Sequence, residues 1–491
     1  MNKFTEYISN YTRGKSVCLL GFGREGKSTY RILSEYCSPE KIAVADLYNV
    51  DRAQNNLPES VELITGDAYQ ECLNNYDIVF KSPGIVLDKH PSELDCIVTS
   101  ETQVFFECFR EQIIGITGTK GKSTTTSLIY HVLKESGVDC RIAGNIGIPV
   151  FDIAEDMNEN TVVVCELSCH QLEYMTVSPK YAVFLNLYEE HLDHYGTLEK
   201  YNNAKKNIYL HQQEDDDLLI NFEIAPTEYH SWNIYTISDK NPEADIYVSD
   251  GLIHYTQPYC IPTDKIRLLG VHNHFNIAVA YYIAMMFISE EKFTKALCTF
   301  NTLAHRLEYV DTVNGISYYD DSISTACATA IEAIKSVPKA GTILIGGMDR
   351  GIDYTPLVEY LAQSDIRIIC METSGKRVYD MIMNRDFPDA SRVYYADHLR
   401  EAVTLASQIT PVGMSCILSP AAARSFTYRC KIKTTALSPR KCRCYSYQYK
   451  LIILFLYVIV WIAIRISGIA GIVRSKRNLA TFLHIVTCNG T

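Results

Sequence analysis

The sequence reads as an α/β protein of three domains followed by a chemically unlike tail. Three observations lead there. Short apolar runs alternate with stretches at helical spacing, which implies parallel sheets with ligand sites at the carboxyl ends of strands. Two of those runs end in glycine turns that open a helix. The 491 residues amount to roughly three domains at about 150 residues each.

The first domain is placed at 1–110. Ser16–Leu20 is an apolar run, followed by Gly21-Phe22-Gly23-Arg24-Glu25-Gly26 and a helical pattern to Tyr36. A second run, Ile42–Ala45, ends in Asp46. Strand, glycine turn, helix, strand and acid make a βαβ unit. Ile78–Phe80 leads into Lys81-Ser82-Pro83-Gly84, a further strand and turn. The second domain, 111–302, opens with strand Ile113–Thr117, a glycine turn and a helix over Lys122–Glu135 stopped by Gly137. Val162–Leu167 and Ala182–Leu187 read as its further strands, and Ile277–Phe287 as a helix. The third domain, 303–423, has strands at Ile316–Tyr319, Thr342–Ile345, Ile366–Cys370, Val393–Tyr395 and Cys416–Leu418.

Composition bounds the function. A hydrophobic fraction of 47% with 21% charge fits a globular enzyme. The net charge of −11 argues against a nucleic-acid partner, which would want a basic face. The amino terminus, MNKFTEYISNYTRGK, has no apolar run long enough for a signal peptide. The cysteines are scattered with no CxxC pair, so a cytoplasmic location with reduced thiols is expected, Cys18, Cys165 and Cys370 serving as small core residues. The charge is unevenly divided. From Arg424 onward there are 12 Lys and Arg and no Asp or Glu, which leaves 34 basic against 57 acidic groups before it. The tail also holds the apolar run Leu451–Ile464, then Arg465 and a second apolar stretch to Val473. We read 424–491 as the product of a reading-frame change rather than an evolved membrane anchor. Only the second origin would bring a membrane partner.

The clearest chemistry lies in Gly115-Ile-Thr-Gly118-Thr119-Lys120-Gly121-Lys122-Ser123-Thr124. A loop that holds a phosphoanhydride needs glycines so that backbone N–H groups can wrap the phosphates. It needs a lysine for their charge and a hydroxyl for Mg²⁺, at a helix amino terminus. An ordinary glycine turn is the plainer reading, but Gly-Lys-Ser-Thr between strand and helix favours ATP.

This layout resembles the T-G-T-x-G-K-[ST] loop of the Mur ligase superfamily, and companion motifs follow in order. Glu166-Leu-Ser168-Cys-His-Gln171 resembles E-L-S-S-x-Q. Asn186-Leu-Tyr-Glu-Glu190-His191-Leu-Asp193 resembles N-x-x-x-D-H-x-D, with Glu190 in place of aspartate. Tyr201-Asn-Asn-Ala204-Lys205-Lys206 resembles the segment that carries a carbamylated lysine, Lys205 fitting its register. Gly270-Val-His272-Asn273-His274-Phe-Asn276, His305-Arg306-Leu-Glu308, Asp320-Asp321-Ser322 and Gly346-Gly347-Met-Asp349-Arg350 complete the series. With Lys81-Ser82-Pro83-Gly84-Ile85 and Ala143-Gly-Asn145-Ile-Gly147, the first half is most similar to the D-glutamate-adding branch.

The resemblance implies a Rossmann-like UDP-substrate domain, a central P-loop-type ATPase domain and a Rossmann-like ligase domain. It implies a monomeric ATP-dependent amide ligase joining D-glutamate to UDP-N-acetylmuramoyl-L-alanine for peptidoglycan. ATP would meet Gly118, Thr119, Lys120, Gly121, Lys122, Ser123, Thr124, Asn273, Arg306 and Asp321. Two Mg²⁺ would be held by Ser123, Glu166, His191 and carbamylated Lys205. Gly21, Gly23, Gly26, Asp46, Ser82 and Gly84 would take the uridine diphosphate, with Asn145, Ser168 and Gln171 near the sugar–alanine end. Thr325 and Arg350 would face D-glutamate. Catalysis would fall to Lys122, His191, Lys205 and Arg306. The resemblance fails after Ala423, where the family's K-N-[FY]-x-x-R-G segment and last helix are missing, so this chain is expected to be poorly stable or weakly active. Two other readings stand: a folylpolyglutamate synthase, against which the Ser82-Pro83-Gly84 turn counts, and a non-catalytic, membrane-anchored nucleotide-binding protein.

Overall fold

The computed structural model describes residues 2–190, 192–226, 233–384 and 387–422. They form three sheets in two compact units. One unit comprises Met1–Ile266 with Val271–Phe300, the other Arg267–Gly270 with the chain from Asn301.

The first unit contains two sheets. β1 (Ser16–Leu20), β2 (Lys41–Asp46), β3 (Glu62–Thr65), β4 (Ile78–Lys81) and β5 (Ile97–Thr99) form an all-parallel sheet in the order β3-β2-β1-β4-β5. Val17–Leu20 is buried on both faces, as a central parallel strand must be. Because β1 has β2 on one side and β4 on the other, the strand order reverses there. The glycine turn and the Ser82 turn therefore lie side by side, the usual place for a ligand.

The second sheet holds β6 (Ile113–Thr117), β7 (Cys140–Gly144), β8 (Val162–Glu166), β9 (Tyr181–Phe184), β10 (Asp217–Asn221), β11 (Asn233–Ser238), β12 (Ile246–Ser249), β13 (Leu252–His254) and β14 (Tyr259–Cys260). Its order is β14-β13-β12-β11-β10-β9-β6-β8-β7. It is parallel as far as β12 and antiparallel in β13 and β14. β6 lies between β8 and β9, so Thr117, Glu166 and Phe184 share one edge. The helix Lys122–Glu135 packs against the helix His272–Ala284, which is buried along nearly its whole length. Several bonds join the two sheets' elements: Ser28 Oγ donates to Asp152 (2.7 Å), and the Phe151 N–H donates to the buried Glu101 carboxylate (2.7 Å).

The second unit holds β15 (Glu308–Val313), β16 (Ile316–Asp320), β17 (Ala340–Ile345), β18 (Arg367–Met371), β19 (Val393–Ala396) and β20 (Ser415–Leu418), ordered β15-β16-β20-β17-β18-β19. All pairs are parallel except the β15–β16 hairpin. One face packs on helices Cys327–Ser336, Thr355–Ala362 and Glu372–Met383. On the other, among the described residues, the helix Leu399–Ile409 supplies the cover.

The structure corrects some expectations. The second and third sheets carry antiparallel edges, since β12–β13–β14 and β15–β16 are hairpin neighbours that no crossover helix separates. The strand at Ala182 ends at Phe184, because Leu185 and Asn186 turn onto the glycine loop. The helix expected from Ile277 starts at His272, which puts Asn273 and Asn276 in its first turns. Cys18, Cys165 and Cys370 are fully buried, and the described cysteines are free. Among the described residues no helix is long and apolar enough to cross a membrane. The tail from 424, with the expectations attached to it, lies outside the described residues.

Candidate nucleotide and cation site

The glycine loop after β6 is held open by partners from the segment that follows β9 and from the helix His272–Ala284. Asn186 is its clamp. Its Oδ1 accepts from the N–H groups of Thr119 (3.1 Å) and Lys120 (2.8 Å), and its Nδ2 donates to the Lys120 carbonyl (3.0 Å). Thr119 Oγ1 accepts from the Tyr188 N–H (2.9 Å) and meets the Tyr201 hydroxyl (3.1 Å). Gly121 caps the helix at φ +86, where a Cβ would stand 2.8 Å from Asn276 Oδ1. Glycine is required there on both counts. Asn276 in turn accepts from Thr125 Oγ1 (3.1 Å) and donates to Asn273 Oδ1 (2.8 Å). Lys122 Nζ donates back to the carbonyls of Gly118 (2.8 Å) and Thr119 (3.0 Å), and burial lowers its pKa. Lys120 pairs with Glu190 across the loop mouth.

Glu166 and Lys205 meet the same loop from beneath. Glu166 is 2% exposed; Oε1 accepts from Asn145 Nδ2 (2.8 Å), and Oε2 is buried with no hydrogen-bond partner. An orphaned carboxylate oxygen of this kind fits a divalent cation, which takes hard oxygen ligands. Lys205 is 1% exposed. Its Nζ donates to the Gly118 carbonyl (2.9 Å) and lies over the Tyr201 ring, 4.9 Å from its centre. Burial, and then the nearby Lys122 charge, bring its pKa down to about 7. Its neighbour Lys206 is half-buried, so the geometry singles out Lys205. His191 lies outside the described residues.

The first sheet offers a second cradle. A Cβ on Gly26 would stand 2.2 Å from the Gly21 carbonyl, so only glycine lets the helix Arg24–Tyr36 come so close. Ser82 Oγ donates to the Gly21 carbonyl (2.9 Å). Asp46 accepts from the N–H groups of Phe22 (2.7 Å) and Tyr48 (2.9 Å), which fixes the turn. Gly23 and Gly84 are exposed. Ser168 and Gln171, expected near the sugar, are bonded to each other. Ser168 caps its helix, Gln171 Oε1 accepts from the Ser168 N–H (3.0 Å), and Gln171 Nε2 donates to Glu25 (2.8 Å). They tie the two cradles together. Burial raises the pKa of Glu25 to about 7. Lys81 is buried beside Glu173 (3.8 Å) and lies over Tyr174, and burial lowers its pKa.

In the second unit, Arg306, Thr325 and Arg350 are exposed. Asp321, expected at the nucleotide, turns its carboxylate inward. It accepts from the Leu307 N–H (3.2 Å), Ser324 Oγ (2.5 Å) and Ser419 Oγ (2.7 Å), which ties both carboxylate oxygens into the fold. Asp320 accepts from His305 Nδ1 (2.8 Å) and the Ser322 N–H (2.9 Å). Although burial pushes upward, these bonds hold its pKa below the usual value, so the imidazole carries its proton on Nδ1. Asn186, Glu25 and Lys81 were not singled out from sequence. The first is the opening residue of a motif, and the other two flank glycine turns.

Residues 116–284 match the model of the Mur ligase middle domain. The UDP-N-acetylmuramoylalanine–D-glutamate ligase of Ligilactobacillus salivarius is 32% identical over 428 residues, 84% of this chain and 92% of that one. This chain belongs to the Mur ligase family. The ligase of the same name from Oenococcus oeni is 31% identical over 84% of this chain and 93% of its own. Among solved structures, the Mur ligase fold recurs in the UDP-N-acetylmuramate–alanine ligase MurC of Thermotoga maritima, with TM-score 0.51, 17% identity, and coverage of 86% of this chain and 99% of that one. It recurs also in the MurF ligase of the same organism in complex with ADP, with TM-score 0.52, 15% identity, and coverage of 89% and 100%.

Proposed function

We propose that this Mur ligase adds D-glutamate to UDP-N-acetylmuramoyl-L-alanine with ATP, as a cytoplasmic monomer serving peptidoglycan synthesis. The sheets are read as a UDP-substrate domain (1–110), an ATP domain (111–302) and a ligase domain (303–423). The observation that carries the chemistry is Lys205, buried with its Nζ on the Gly118 carbonyl of the phosphate loop. The names of the full-length relatives carry the substrates.

An amine cannot displace oxide from a carboxylate, so the terminal carboxylate must first attack the γ-phosphorus of ATP and release ADP. The amine of D-glutamate then attacks the acyl phosphate, loses a proton, and the tetrahedral intermediate expels phosphate. The protein's part is positioning and charge neutralisation. Lys122 exchanges its loop carbonyls for phosphate oxygens, while Asn186 keeps the loop in shape by accepting from the Thr119 and Lys120 N–H groups. Ser123, Glu166, His191 and Lys205 would hold Mg²⁺, which supplies Lewis-acid neutralisation of phosphate charge. Lys205 fits a carbamate: its lowered pKa leaves a neutral amine whose lone pair adds to CO₂, with loss of one proton. Gly21–Gly26, Asp46 and Ser82 cradle the uridine diphosphate, and Thr325 and Arg350 face D-glutamate. The test is ADP release dependent on UDP-N-acetylmuramoyl-L-alanine, with D-glutamate, L-alanine and meso-diaminopimelate offered in parallel. Release with D-glutamate alone is expected; release with another amino acid reassigns the branch.

A further inference from the structure

The turn that carries Arg306 is built against the preferences of its own backbone. Two non-glycine residues flank the arginine in the left-handed region, His305 at φ +68 and Leu307 at φ +47. Histidine is among the residues enriched in that region, but leucine has little reason to be there. Both are buried, while Arg306 between them is exposed.

Four bonds hold the turn in this shape. His305 Nδ1 donates to Asp320 Oδ2 (2.8 Å), and the pair is 5% and 4% exposed at the side chains. The His305 N–H donates to Glu308 Oε2 (2.8 Å), its carbonyl accepts from the Ile323 N–H (3.3 Å), and the Leu307 N–H donates to Asp321 (3.2 Å). Asp321 is itself fixed by Ser324 and Ser419. His305, Glu308 and Asp320 bring ligand-type atoms within 4.8 Å of one another, but the Nδ1 proton and the Glu308 oxygen are spent on the turn itself. Strain of this kind persists only where the surroundings over-determine it, and it concentrates at ligand clamps.

We propose that His305 is a positioning residue: clamped on Asp320, it locks the left-handed turn and so fixes where the Arg306 guanidinium stands for the nucleotide's phosphate. The inference rests on the family reading that Arg306 meets phosphate, and the experiment separates the two.

Steady-state kinetics in ATP are compared for the full chain and for His305→Ala, His305→Asn, Arg306→Ala and the double variant His305→Ala/Arg306→Ala. Asparagine tolerates the left-handed region, and its Nδ2 occupies the place of the imidazole Nδ1. His305→Ala and Arg306→Ala are each expected to lower kcat/KM for ATP by roughly 10- to 100-fold. The double variant should fall no further than Arg306→Ala, within about twofold, because both remove one function. His305→Asn should recover most of the loss. Losses that multiply in the double variant, or a His305→Asn as impaired as His305→Ala, overturn the clamp and leave Arg306 its role. An Arg306→Ala enzyme with unaltered ATP kinetics overturns both. If His305→Ala does not fold, His305→Gln replaces it in the single and double variants. Its longer side chain carries the amide past Asp320, and the same outcomes apply.

Discussion

Lys205 is the side chain whose environment says most about its chemistry. An ordinary lysine is protonated at neutral pH and cannot attack CO₂, whereas this one, with a pKa of about 7, is largely neutral above that value. Carbamate formation and turnover should therefore fall together as pH drops from 8 to 6. Bicarbonate labelled with ¹³C and read by NMR checks the first, ADP release the second. A carbamate signal that persists at pH 6 contradicts the assignment. Lys205→Arg keeps the charge and loses the nucleophile, so it should lose roughly 10- to 100-fold in activity, the range seen when a metal site is disturbed. Asn186→Ala removes three bonds from the phosphate loop. Hydrogen bonds of this kind contribute about 0.5–1.5 kcal/mol each, so a lower unfolding midpoint and a raised KM for ATP are expected together. An unchanged KM would mean that the loop holds its shape without the clamp.

The joint between the first two sheets is lined with acids that folding prefers to keep protonated. Burial raises Glu25 to about 7, and it raises Glu101 well above its usual value. In the unfolded chain such groups release their protons near pH 4.5, but folded Glu25 holds on to its proton until about 7. The folded state thus binds more protons in that window, and stability falls as pH rises through it. Glu25→Gln should flatten part of this slope and raise the melting temperature at pH 8 by a few degrees, at about 2–4 °C per kcal/mol. Calorimetry from pH 5 to 8 decides it, and an unchanged slope would remove Glu25 from the account. This joint also marks the limit of what could be read in advance. The strands, the helix from Lys122 and the order of the motifs each have a local signature, a run of apolar residues or a glycine at a turn. Glu25 and Gln171 stand 146 positions apart, and nothing near either announces the other. The same holds for Asp321, whose motif suggests a ligand but whose carboxylate is claimed by Ser419, 98 positions on. The edge strands β12–β14 are too short for their alternation to rise above the loops around them.

The protein as an assembly of units depends on how its last sheet is covered. One face has three helices, and the other, among the described residues, has Leu399–Ile409. The tail begins where the family continues with K-N-[FY]-x-x-R-G. We expect that replacing 424–491 with a family-like ending raises both soluble yield and turnover, because the family's last helix would bury further apolar surface. Equal yield and equal kcat for the two forms would show that the tail costs nothing.

β20 is the final described strand of the chain, yet it lies between β16 and β17 in the middle of its sheet. A ribosome must therefore deliver residue 418 before those two strands gain a common neighbour. Until then the nascent segment consists of a hairpin and a three-stranded fragment with open edges. This late zipping, over nearly a hundred residues of separation, predicts slow closure and a window in which chaperones find the protein.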